Sequence, residues 1–498
     1  MRWAVSELPQ GWAFASLNEL QAQGGIFADG DWIESKDQDP NGRNRLLQLA
    51  DIGDGRFIDK SSRYVNDETF DRLNCTALEE GDILLARMPD PLGRACLMPR
   101  LPQRCLTVVD VAVFRSGSRD ISHRWLMHTL NASPIREEIS RNASGTTRKR
   151  IARGKLAELK VPVPPAAEQK RIAQKLDALL AQVDTLKARI DAIPALLKRF
   201  RDSVLRAAVS GRLTEEWRAS NPSLTAQAML EGFKPLPPPA RYKSRSDAFI
   251  QGVCATAVGK PRNQLTHAWE WTPLVQVARM ESGHTPSREV SEYWGGDVPW
   301  IGIKDARANH EKSIYSTQHM TNQLGLKNSA ARLLPGGTIC ISRTASVGYV
   351  VKMGIPMATS QDFVNWVPTE CVDADWLKWL FVAEKESLFK FGKGSTHTTV
   401  YFPEWLSMHV ALPHVDEQKV IATRVQSLLD LADSLADRVA TAQQRIDSLT
   451  QSLLAKAFRG ELVPQDPSDE PASVLLDRTR TQRAAAPKPK RGRKAATS

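Results

Sequence analysis

Two segments of the chain repeat each other at a fixed distance, and this repeat constrains the fold more than any other feature. Glu168-Gln169-Lys170 opens the first segment, and Glu417-Gln418-Lys419 opens the second 249 positions later in a chain of 498 residues. The match continues without a gap for roughly forty residues, whereas the preceding segments resemble each other only weakly. The sequence therefore predicts two similar rods, each preceded by a different head.

Apolar residues in both rods recur at alternating steps of four and three, which is the heptad pattern of a coiled coil. This seam includes Leu176, Leu179, Val183, Leu186 and Ile190 in the first rod, and Leu428, Leu435, Val439, Ile446 and Leu449 in the second. Because the two seams match, we expect the rods to pack on each other, antiparallel, within one chain. Pro194 interrupts the first rod, where it removes a backbone hydrogen bond and predicts a kink.

Composition limits the class of protein. The net charge of +11 and the pI of about 9.4 fit a polyanionic partner, although a basic tail at Lys488–Lys494 supplies part of the charge. No apolar run has the length of a membrane span, and the N-terminus lacks a signal peptide. The six cysteines contain no Cys-x-x-Cys pair, which indicates free thiols in the cytoplasm and disfavours a zinc site.

The two heads share short phrases. Leu8–Phe14 in the first head corresponds to Leu265–Trp271 in the second, and Gly81–Arg87 corresponds to Gly337–Arg343. The second pair predicts a buried strand after a glycine turn, at Ile83–Ala86 and Ile339–Ile341. Short helices are expected at Trp125–Leu130 and Trp376–Val382. Both heads are therefore predicted to be mixed α/β structures with short strands.

Catalytic motifs are missing from the sequence. It contains neither a Gly-x-x-x-x-Gly-Lys-Ser/Thr phosphate loop nor a His-Glu-x-x-His pair. Pro89-Asp90 with the downstream Glu168-Gln169-Lys170 could form a nuclease carboxylate cluster, but the second motif recurs at the start of the other rod. A solvated first helical turn, with Glu near the positive end of the helix, is the preferred interpretation of that motif.

Two kinds of loop recur in both heads and carry residues suited to DNA binding. A loop of glycine, hydroxyl and basic residues precedes the closing segment of each head and could bind a phosphate backbone. An arginine follows each buried strand and could pair with the two acceptors on guanine. Any one of these residues alone also fits an ordinary exposed loop position. The candidate DNA-binding residues are Arg87, Arg94, Thr107, Thr146, Thr147, Arg148, Lys149 and Arg150 in the first head, and Ser342, Arg343, Thr344, Gln361, Ser395, Thr396, His397 and Thr398 in the second.

With these parts together, the chain resembles the specificity subunit of type I restriction–modification systems over nearly its whole length. The resemblance rests on Leu8–Trp12, on Gly81–Arg87, on Gly394–Thr396, and on the doubled rods that end in Ala-x-x-Gly-x-Leu at Ala208–Leu213 and Ala457–Leu462. It implies a mixed α/β fold with two target-recognition domains, which are separated by two long antiparallel coiled-coil helices in an internal pseudo-twofold repeat.

The resemblance also implies domain boundaries. We expect target-recognition domains at 1–165 and 265–414, conserved spacer helices at 166–213 and 415–462, and a connector at 214–264. The connector is rich in proline and basic residues, which predicts an extended or poorly ordered linker. A basic, disordered tail is expected at 463–498, where the sequence becomes low-complexity from Ala484 onward.

The function implied by the resemblance is that of a non-catalytic subunit. Such a chain reads a bipartite, asymmetric site in double-stranded DNA and scaffolds two methyltransferase subunits, which contact the spacer helices, together with restriction subunits. It binds no cofactor or metal itself, since S-adenosylmethionine, ATP and Mg belong to the partner subunits. It contacts no membrane.

Three alternatives stay open from the sequence. The chain could be the specificity subunit of a fused restriction–methylation enzyme of the type IIB kind, which would change its partner but not its own chemistry. It could be a self-contained DNA-modifying enzyme, although this requires a cofactor motif or carboxylate cluster that we do not find. It could also be a coiled-coil adaptor that never binds DNA, which would leave the two similar heads unexplained.

Overall fold

The chain forms two compact units in the computed structural model, which describes residues 8–88, 91–145, 148–237, 239, 245–344, 346–394 and 398–485. One unit consists of Met1–Asp191 together with Thr441–Ser498, and the other consists of Ala192–Ala440. Both rods cross from one unit into the other. Each unit therefore combines one head with one part of each rod.

The described residues of the first head and the first rod form nine strands and five α-helices. The strands are β1 (Ala13–Ser16), β2 (Ile26–Asp29), β3 (Asn44–Leu47), β4 (Arg63–Val65), β5 (Ile83–Ala86), β6 (Ala95–Leu97), β7 (Cys105–Thr107), β8 (Val111–Arg115) and β9 (Lys160–Val163). The helices are α1 (Asp67–Arg72), α2 (His123–Asn131), α3 (Ser133–Arg141), α4 (Arg153–Ala157) and the long helix α5 (Ala166–Val209). Single 3₁₀ turns lie at Ser35–Asp37 and Leu49–Asp51.

The connector, the second head and the remaining chain follow the same scheme. The strands are β10 (Ile250–Gln251), β11 (Thr256–Val258), β12 (Glu270–Pro273), β13 (Ala278–Ser282), β14 (Trp294–Ile301), β15 (Ser313–Ile314), β16 (His319–Thr321), β17 (Ile339–Ser342), β18 (Val350–Met353), β19 (Ala358–Thr359), β20 (Phe363–Pro368) and β21 (Met408–Leu412). The helices are α6 (Glu215–Ser220), α7 (Ala226–Glu231), α8 (Leu274–Val277), α9 (Ile303–Ala308), α10 (Gln323–Lys327), α11 (Ala374–Ala383), α12 (Lys385–Phe391), α13 (Phe402–Leu406), the long helix α14 (Val415–Phe458) and α15 (Ala472–Ala484). Further 3₁₀ turns lie at Arg212–Thr214 and Ser291–Tyr293.

The predicted buried strands lie at the centre of the main sheet in each head. In the first head β5 runs between β8 and β6, and Leu84 stands opposite both Val113 and Cys96. In the second head β17 runs between β20 and β18, and Cys340 stands opposite Asn365 and Val351. All residues of β5 and β17 are buried, because strands in the middle of a covered sheet have no solvent face.

The predicted short helices are also confirmed, and each begins at a residue that can cap it. The Ser122 side chain accepts a hydrogen bond from the Trp125 amide at the start of α2, and Asp373 accepts one from the Trp376 amide at the start of α11. Such caps satisfy backbone donors that the first turn of a helix leaves free. Both tryptophans are buried against their own sheet, so each helix covers one face of its head.

Each head is closed by a strand pair that joins its first strand to the strand before the long helix. β1 pairs antiparallel with β9, with Ala13 opposite Val163. β12 pairs antiparallel with β21 in the other head, with Glu270 opposite Leu412. The same closure in both heads confirms that the internal repeat extends from the rods into the heads.

The expectation of an extended or poorly ordered linker at 214–264 is wrong for residues 215–231 and 250–258, where the connector forms α6, α7, β10 and β11, and β11 pairs with β21 of the second head. Between α7 and β10 the described residues form no helix or strand, and residues 238 and 240–244 of the proline-rich, basic stretch lie outside the described part of the chain. The Ala226 amide donates to the Ala268 carbonyl at 2.9 Å, and buried Glu384 accepts from the Ala255 amide at 2.6 Å. Helices of six residues are unstable alone in water, so local sequence does not reveal elements that depend on tertiary packing.

The expected disordered tail is wrong for the helix α15 inside it. Leu475 and Leu476 of α15 are buried in the core of the first head, and the Ala472 amide donates to the Gly11 carbonyl at 2.8 Å. The low-complexity residues 486–498 lie outside the described part of the chain. Residues 472–484 therefore belong to the first unit.

Both long helices have 44 residues, and Pro194 lies inside a helix that continues on both sides of it. At about 1.5 Å per residue, each helix is about 66 Å long. Within the described part of the chain, no helix combines the length and the apolar character that crossing a membrane would require.

Candidate nucleic-acid interface

The predicted glycine and hydroxyl loops form the same closed turn in both heads. Ser144 and Arg150 exchange two backbone hydrogen bonds of 2.9 Å each. Lys393 and Thr399 exchange two of the same length in the second head. In each turn the residue after the first partner is a glycine with positive φ, 98° at Gly145 and 113° at Gly394, which other residues rarely adopt.

Several predicted residues of these turns lie outside the described part of the chain. They are Thr146, Thr147, Ser395, Thr396 and His397. Of the others, Arg148 and Lys149 are exposed, whereas Arg150 and Thr398 are half-buried. The Arg150 guanidinium lies 3.7 Å from the Asp110 carboxylate.

Backbone contacts bring each turn next to the arginine that follows the buried strand. The Ile151 amide donates to the Arg87 carbonyl at 3.1 Å in the first head. The Val400 amide donates to the Arg343 carbonyl at 2.9 Å in the second. The two predicted loop types therefore meet at one sheet edge in each head, which we call the loop edge.

The loop edge is defined by strand ends. In the first head β2 and β5 end there and β6 and β8 begin there, so that it carries Asp29, Arg87, Arg94 and Asp110. In the second head β13 and β17 end there at Ser282 and Ser342, while β18 and β20 begin there. The amide of Arg343 donates to the Asp362 carbonyl at 2.8 Å, as the Arg87 amide donates to the Asp110 carbonyl at 2.9 Å.

Arg87 and Thr107 are not exposed, contrary to our expectation. The Arg87 guanidinium is paired with Asp29 and donates to the Ile151 carbonyl at 3.0 Å, and the residue is 5% exposed. The Thr107 hydroxyl donates to the Leu47 carbonyl at 3.2 Å, and the residue is 1% exposed. In this conformation both side chains are committed to contacts inside the first head.

Arg94 offers a cation at the loop edge of the first head. It is half-buried, and its guanidinium has no hydrogen bond or ion pair among the described residues. Because a partly desolvated guanidinium without an acceptor is unfavourable, Arg94 is suited to an external anion or to the acceptor edge of a base.

The second head presents different chemistry at the same backbone positions. The Arg343 guanidinium lies 4.5 Å from the centre of the Phe402 ring, where the first head has an arginine paired with a carboxylate. The Thr344 and Thr399 hydroxyls are 2.8 Å apart. Ser342 is fully buried, and its hydroxyl donates to the Ser346 carbonyl, so it is not an accessible reader.

Gln361 is exposed at this edge and leads to a loop that the sequence did not single out. Its side-chain oxygen accepts a hydrogen bond from the Thr285 hydroxyl. Thr285 belongs to the segment 283–288 that follows β13 and carries exposed Arg288 beside Trp294 and Trp300. The Gly-His-Thr-Pro-Ser-Arg turn before a Trp-Gly-Gly strand was the available signal for this loop.

The Glu-Gln pair at the start of each long helix is buried, so the expectation of a solvated first turn is wrong for these residues, although the following lysines are exposed. The Trp12 indole donates to Glu168 at 3.0 Å, and the Trp269 indole donates to Glu417 at the same distance. Both glutamates are at most 1% exposed. The sequence could not reveal this burial because each tryptophan partner precedes its glutamate by about 150 residues.

The neighbouring glutamines attach each long helix to its own head. The side-chain oxygen of Gln169 accepts from the Ser122 amide at 2.9 Å, and that of Gln418 accepts from the Asp373 amide at 2.7 Å. Ser122 and Asp373 are the residues that cap α2 and α11. The repeated Glu-Gln pair therefore joins the start of a long helix to a tryptophan and to a capped helix in each head.

The two buried glutamates differ in their counter-charges. Glu417 accepts from Arg218 at 2.5 Å and from the Thr214 hydroxyl at 2.6 Å. The oxygen Oε1 of Glu168 has no hydrogen-bond partner among the described residues. Burial raises the pKa of Glu168, which the hydrogen bond from Trp12 only partly offsets.

The long helices pair antiparallel within each unit. In the first unit Lys187 of α5 contacts Asp447 of α14 at 2.6 Å. Four residues later in α5, Asp191 accepts a hydrogen bond of 2.8 Å from Gln443, which lies four residues before Asp447 in α14. In the second unit Arg201 contacts Asp433 at 2.6 Å. As residue numbers rise along α5, those of the partner residues in α14 fall.

Only part of the predicted seam is buried. Leu176, Val183 and Ile446 are buried, whereas Leu179, Ile190, Leu428 and Val439 are half-buried. The seam residues Leu186, Leu435 and Leu449 are exposed by 48%, 37% and 45%. Each unit thus has an apolar helix surface that the described residues do not cover.

The described residues contain no group of three or more His, Cys, Asp or Glu side chains that could hold a metal ion. The six cysteines are free thiols. Burial raises the pKa of the Cys96 thiol to about 12, which keeps it protonated and unreactive.

Comparison with known proteins identifies a family and several relatives. The model of a family described as the type I restriction modification DNA specificity domain matches residues 9–195 and 267–440. The EcoBI specificity subunit of Escherichia coli is 30% identical, over 72% of this chain and 71% of its own length. The EcoKI specificity subunit of Escherichia coli strain K12 is 29% identical, over 99% of both chains.

A solved structure is similar to the whole chain as well. The HsdS subunit from Thermoanaerobacter tengcongensis has a TM-score of 0.59 at 16% identity, covering 93% of this chain and 100% of that one. At this identity the likeness establishes the fold, with its two mixed α/β heads and its long antiparallel helices.

Proposed function

Since the chain belongs to the type I restriction–modification DNA specificity family, we propose that it reads a bipartite, asymmetric site in double-stranded DNA. In the same proposal it scaffolds two methyltransferase subunits and the restriction subunits of such a system. The chain supplies recognition and assembly, and its partners supply the chemistry.

The observation that carries the proposal is the loop edge, which recurs in both heads. In each head a closed turn is held by backbone hydrogen bonds against the residue that follows the buried central strand. Backbone amides, hydroxyls and cations at one edge are what a DNA backbone and base edges require. This repeated backbone arrangement, which we call the frame, supports two DNA-reading sites of the same type.

The side chains on the two frames differ, which supports an asymmetric site. Arg87 is buried and pairs with Asp29 in the first head, and half-buried Arg343 lies over the Phe402 ring in the second. Exposed Arg148 and Lys149 stand in the turn of the first head, and exposed Gln361 stands at the edge of the second. Two frames with different donors and acceptors would select different base sequences.

The uncovered apolar surfaces of α5 and α14 support the role in assembly. Leu186 and Leu449 in one unit, and Leu196, Phe200 and Leu435 in the other, are exposed by 37% or more. Large apolar side chains on a helix surface are typical of sites that a partner covers. We assign these surfaces to the methyltransferase subunits.

The same proposal gives the cofactors and the location. S-adenosylmethionine, ATP and Mg would be bound by the partner subunits, and the complex would act in the cytoplasm. Free, high-pKa thiols such as Cys96 fit a reducing compartment.

Binding of the purified chain to mixed-sequence duplex DNA at several salt concentrations tests the proposal. We expect binding whose logarithm falls linearly with the logarithm of the salt concentration, because phosphate contacts release counterions. Absence of binding at low salt would support an adaptor that never contacts DNA and would contradict the proposal.

A second assay addresses the enzyme alternative. The isolated chain is incubated with duplex DNA and labelled S-adenosylmethionine, and methyl transfer is measured. We expect transfer only after methyltransferase subunits are added. Transfer by the chain alone would contradict a non-catalytic role.

A further inference from the structure

The segment 283–288 is fixed against the loop edge of the second head. The His284 amide donates to the Thr359 carbonyl at 2.9 Å, and the Gly283 amide donates to the Phe363 carbonyl at 3.3 Å. A Cβ atom on Gly283 would lie 1.8 Å from the Ser360 carbonyl oxygen, so only glycine allows this approach. The segment therefore lies beside Gln361 and Asp362, at the edge that also carries Arg343.

Two tryptophans hold this segment from one side. The Trp300 indole donates to the His284 carbonyl at 3.1 Å, and the Trp294 indole donates to the Ser287 carbonyl at 3.0 Å. The two rings meet edge to face, with centres 5.2 Å apart, and Trp300 is 2% exposed. Both rings are thus fixed, and so is the carbonyl group of Ser287, the residue immediately before Arg288.

Arg288 lies over this pair of rings. Its guanidinium carbon is 5.8 Å from the centre of Trp294 and 5.6 Å from that of Trp300, within the range of a cation–π contact. Such a contact restricts the guanidinium without using any of its N–H donors. The arginine is therefore oriented before a partner arrives.

No carboxylate neutralises Arg288 among the described residues, where it has neither an ion pair nor a hydrogen bond, and its side chain is exposed. Two other exposed arginines of this head, in contrast, share one carboxylate. Arg279 contacts Glu281, and Arg332 contacts the other oxygen of the same carboxylate at 2.8 Å. Arg288 thus keeps its full charge and all five N–H donors for a ligand.

We propose that Arg288, supported by Trp294 and Trp300, reads a guanine in the half-site of the second head. This inference rests on the proposed function and adds a specificity-determining residue to it. An oriented planar guanidinium can donate two parallel hydrogen bonds to guanine O6 and N7. The same planar group can also bind a phosphate, so sensitivity to one particular guanine is the property that distinguishes base reading from a backbone contact.

The test uses the full-length chain and a duplex that the wild-type chain enriches from a random library. Each guanine of that duplex is replaced in turn by 7-deazaguanine, which lacks the N7 acceptor, and dissociation constants are measured. We expect at least one guanine in the half-site of the second head to be sensitive, with a loss of up to roughly 5- to 150-fold, the range for a bidentate pair. Arg288→Ala should cause a similar loss on the unmodified duplex and should abolish the sensitivity at that guanine.

Two further variants make the result specific. Arg288→Lys keeps the charge but cannot form two parallel bonds, so it should not restore sensitivity at that guanine. Arg279→Ala removes an exposed but paired arginine of the same head, and it should bind like the wild type. Because Arg288 makes no hydrogen bond within the described chain, its variants should unfold at the same urea concentration as the wild type.

Three outcomes are decisive. If the wild-type chain enriches no motif, the proposed function fails. If it enriches a motif and Arg288→Ala retains sensitivity at every guanine that the wild type senses, this inference fails while the function stands. A uniform loss of affinity for all duplexes, with a shallower salt dependence and unchanged guanine sensitivity, would identify a phosphate contact and would also overturn the inference.

Discussion

The environment of a residue, more than its type, determines what the repeated positions do. Arg87 and Arg343 follow the same strand in the two heads and make the same backbone contacts. Asp29 neutralises and buries Arg87, whereas Arg343 lies over an aromatic ring. The sequence predicted the shared position from the repeat, but Asp29 precedes Arg87 by 58 residues, so their contact is visible only in the fold.

The two buried glutamates offer a matched pair of substitutions. Glu417→Gln would leave buried Arg218 without its counter-charge, so we expect it to lower the free energy of unfolding by about 3 kcal/mol. Glu168→Gln should change it by less than about 1 kcal/mol, because no cation contacts Glu168 within hydrogen-bond distance and its pKa is raised. Urea unfolding of both variants at neutral pH measures the difference, and equal destabilisation would refute this assignment.

Asp31 should make the first head less stable at neutral pH than at acidic pH. Burial raises its pKa to about 6, although the Thr76 amide donates to it at 3.1 Å. The unfolded chain has the ordinary value of 3.8, so the folded state binds the proton more tightly. The contribution of protonated Asp31 to the free energy of unfolding is therefore fully present below about pH 4, and it is lost as the pH rises through about 6.

Asp31→Asn removes that dependence and keeps an oxygen that can accept from the Thr76 amide. Because the side chain is partly solvated, we expect a gain of only about 1 kcal/mol in the free energy of unfolding at pH 7.5. At pH 3.5 the gain should vanish. A gain that is equal at both pH values would show that Asp31 is not the titrating group.

At the scale of elements, the sequence predicted those whose signal is local and periodic. The strands around Leu84 and Cys340, the helices around Trp125 and Trp376, and both long helices were predicted from apolar patterns. The connector helices α6 and α7 and the helix α15 were not, because they are short or mostly polar and depend on tertiary contacts. Burial of Leu475 and Leu476 in α15 follows from the fold of the first head and not from its own sequence.

The heptad seam predicted helix pairing but could not say which positions face the partner helix. Leu176 is fully buried in the core of the first head, whereas Leu186, three seam positions later on α5, is 48% exposed. A heptad pattern is the same for a residue that packs within the chain and for one that contacts another subunit. The structure separates seam residues that are buried from those that are exposed.

This separation predicts different consequences for two leucines on one helix. Leu176→Ala should lower the free energy of unfolding by about 2–5 kcal/mol, because it leaves a cavity in the core. The value within this range depends on how far the surrounding residues relax into the cavity. Leu186→Ala should change it by no more than about 0.5 kcal/mol. Leu186→Ala should instead weaken binding of methyltransferase subunits, which co-purification and titration would measure. Unchanged binding would contradict the assignment of this surface to those subunits.

At the scale of the whole molecule, the same backbone frame occurs in both units but carries different exposed side chains. The closing strand pairs, the turns at Ser144–Arg150 and Lys393–Thr399, and the Trp-Glu contacts at the helix starts recur in both units. The exposed side chains on the frame differ between the two units. Constant support with variable loops is the arrangement expected of two readers with separate targets.

The central claim is that each head reads its own half of one DNA site. The most direct measurement is the set of sequences enriched from a random duplex library by the wild-type chain, by Arg94→Ala in the first head and by Arg343→Ala in the second. Arg94 is the test residue of the first head because Arg87, the other arginine at its loop edge, is buried in an ion pair.

The account predicts two separate blocks of preferred bases for the wild-type chain. Each variant should relax positions in one block only, by about 1–3 kcal/mol where its arginine contacts a base. A single block, or two variants that relax the same positions, would contradict the account.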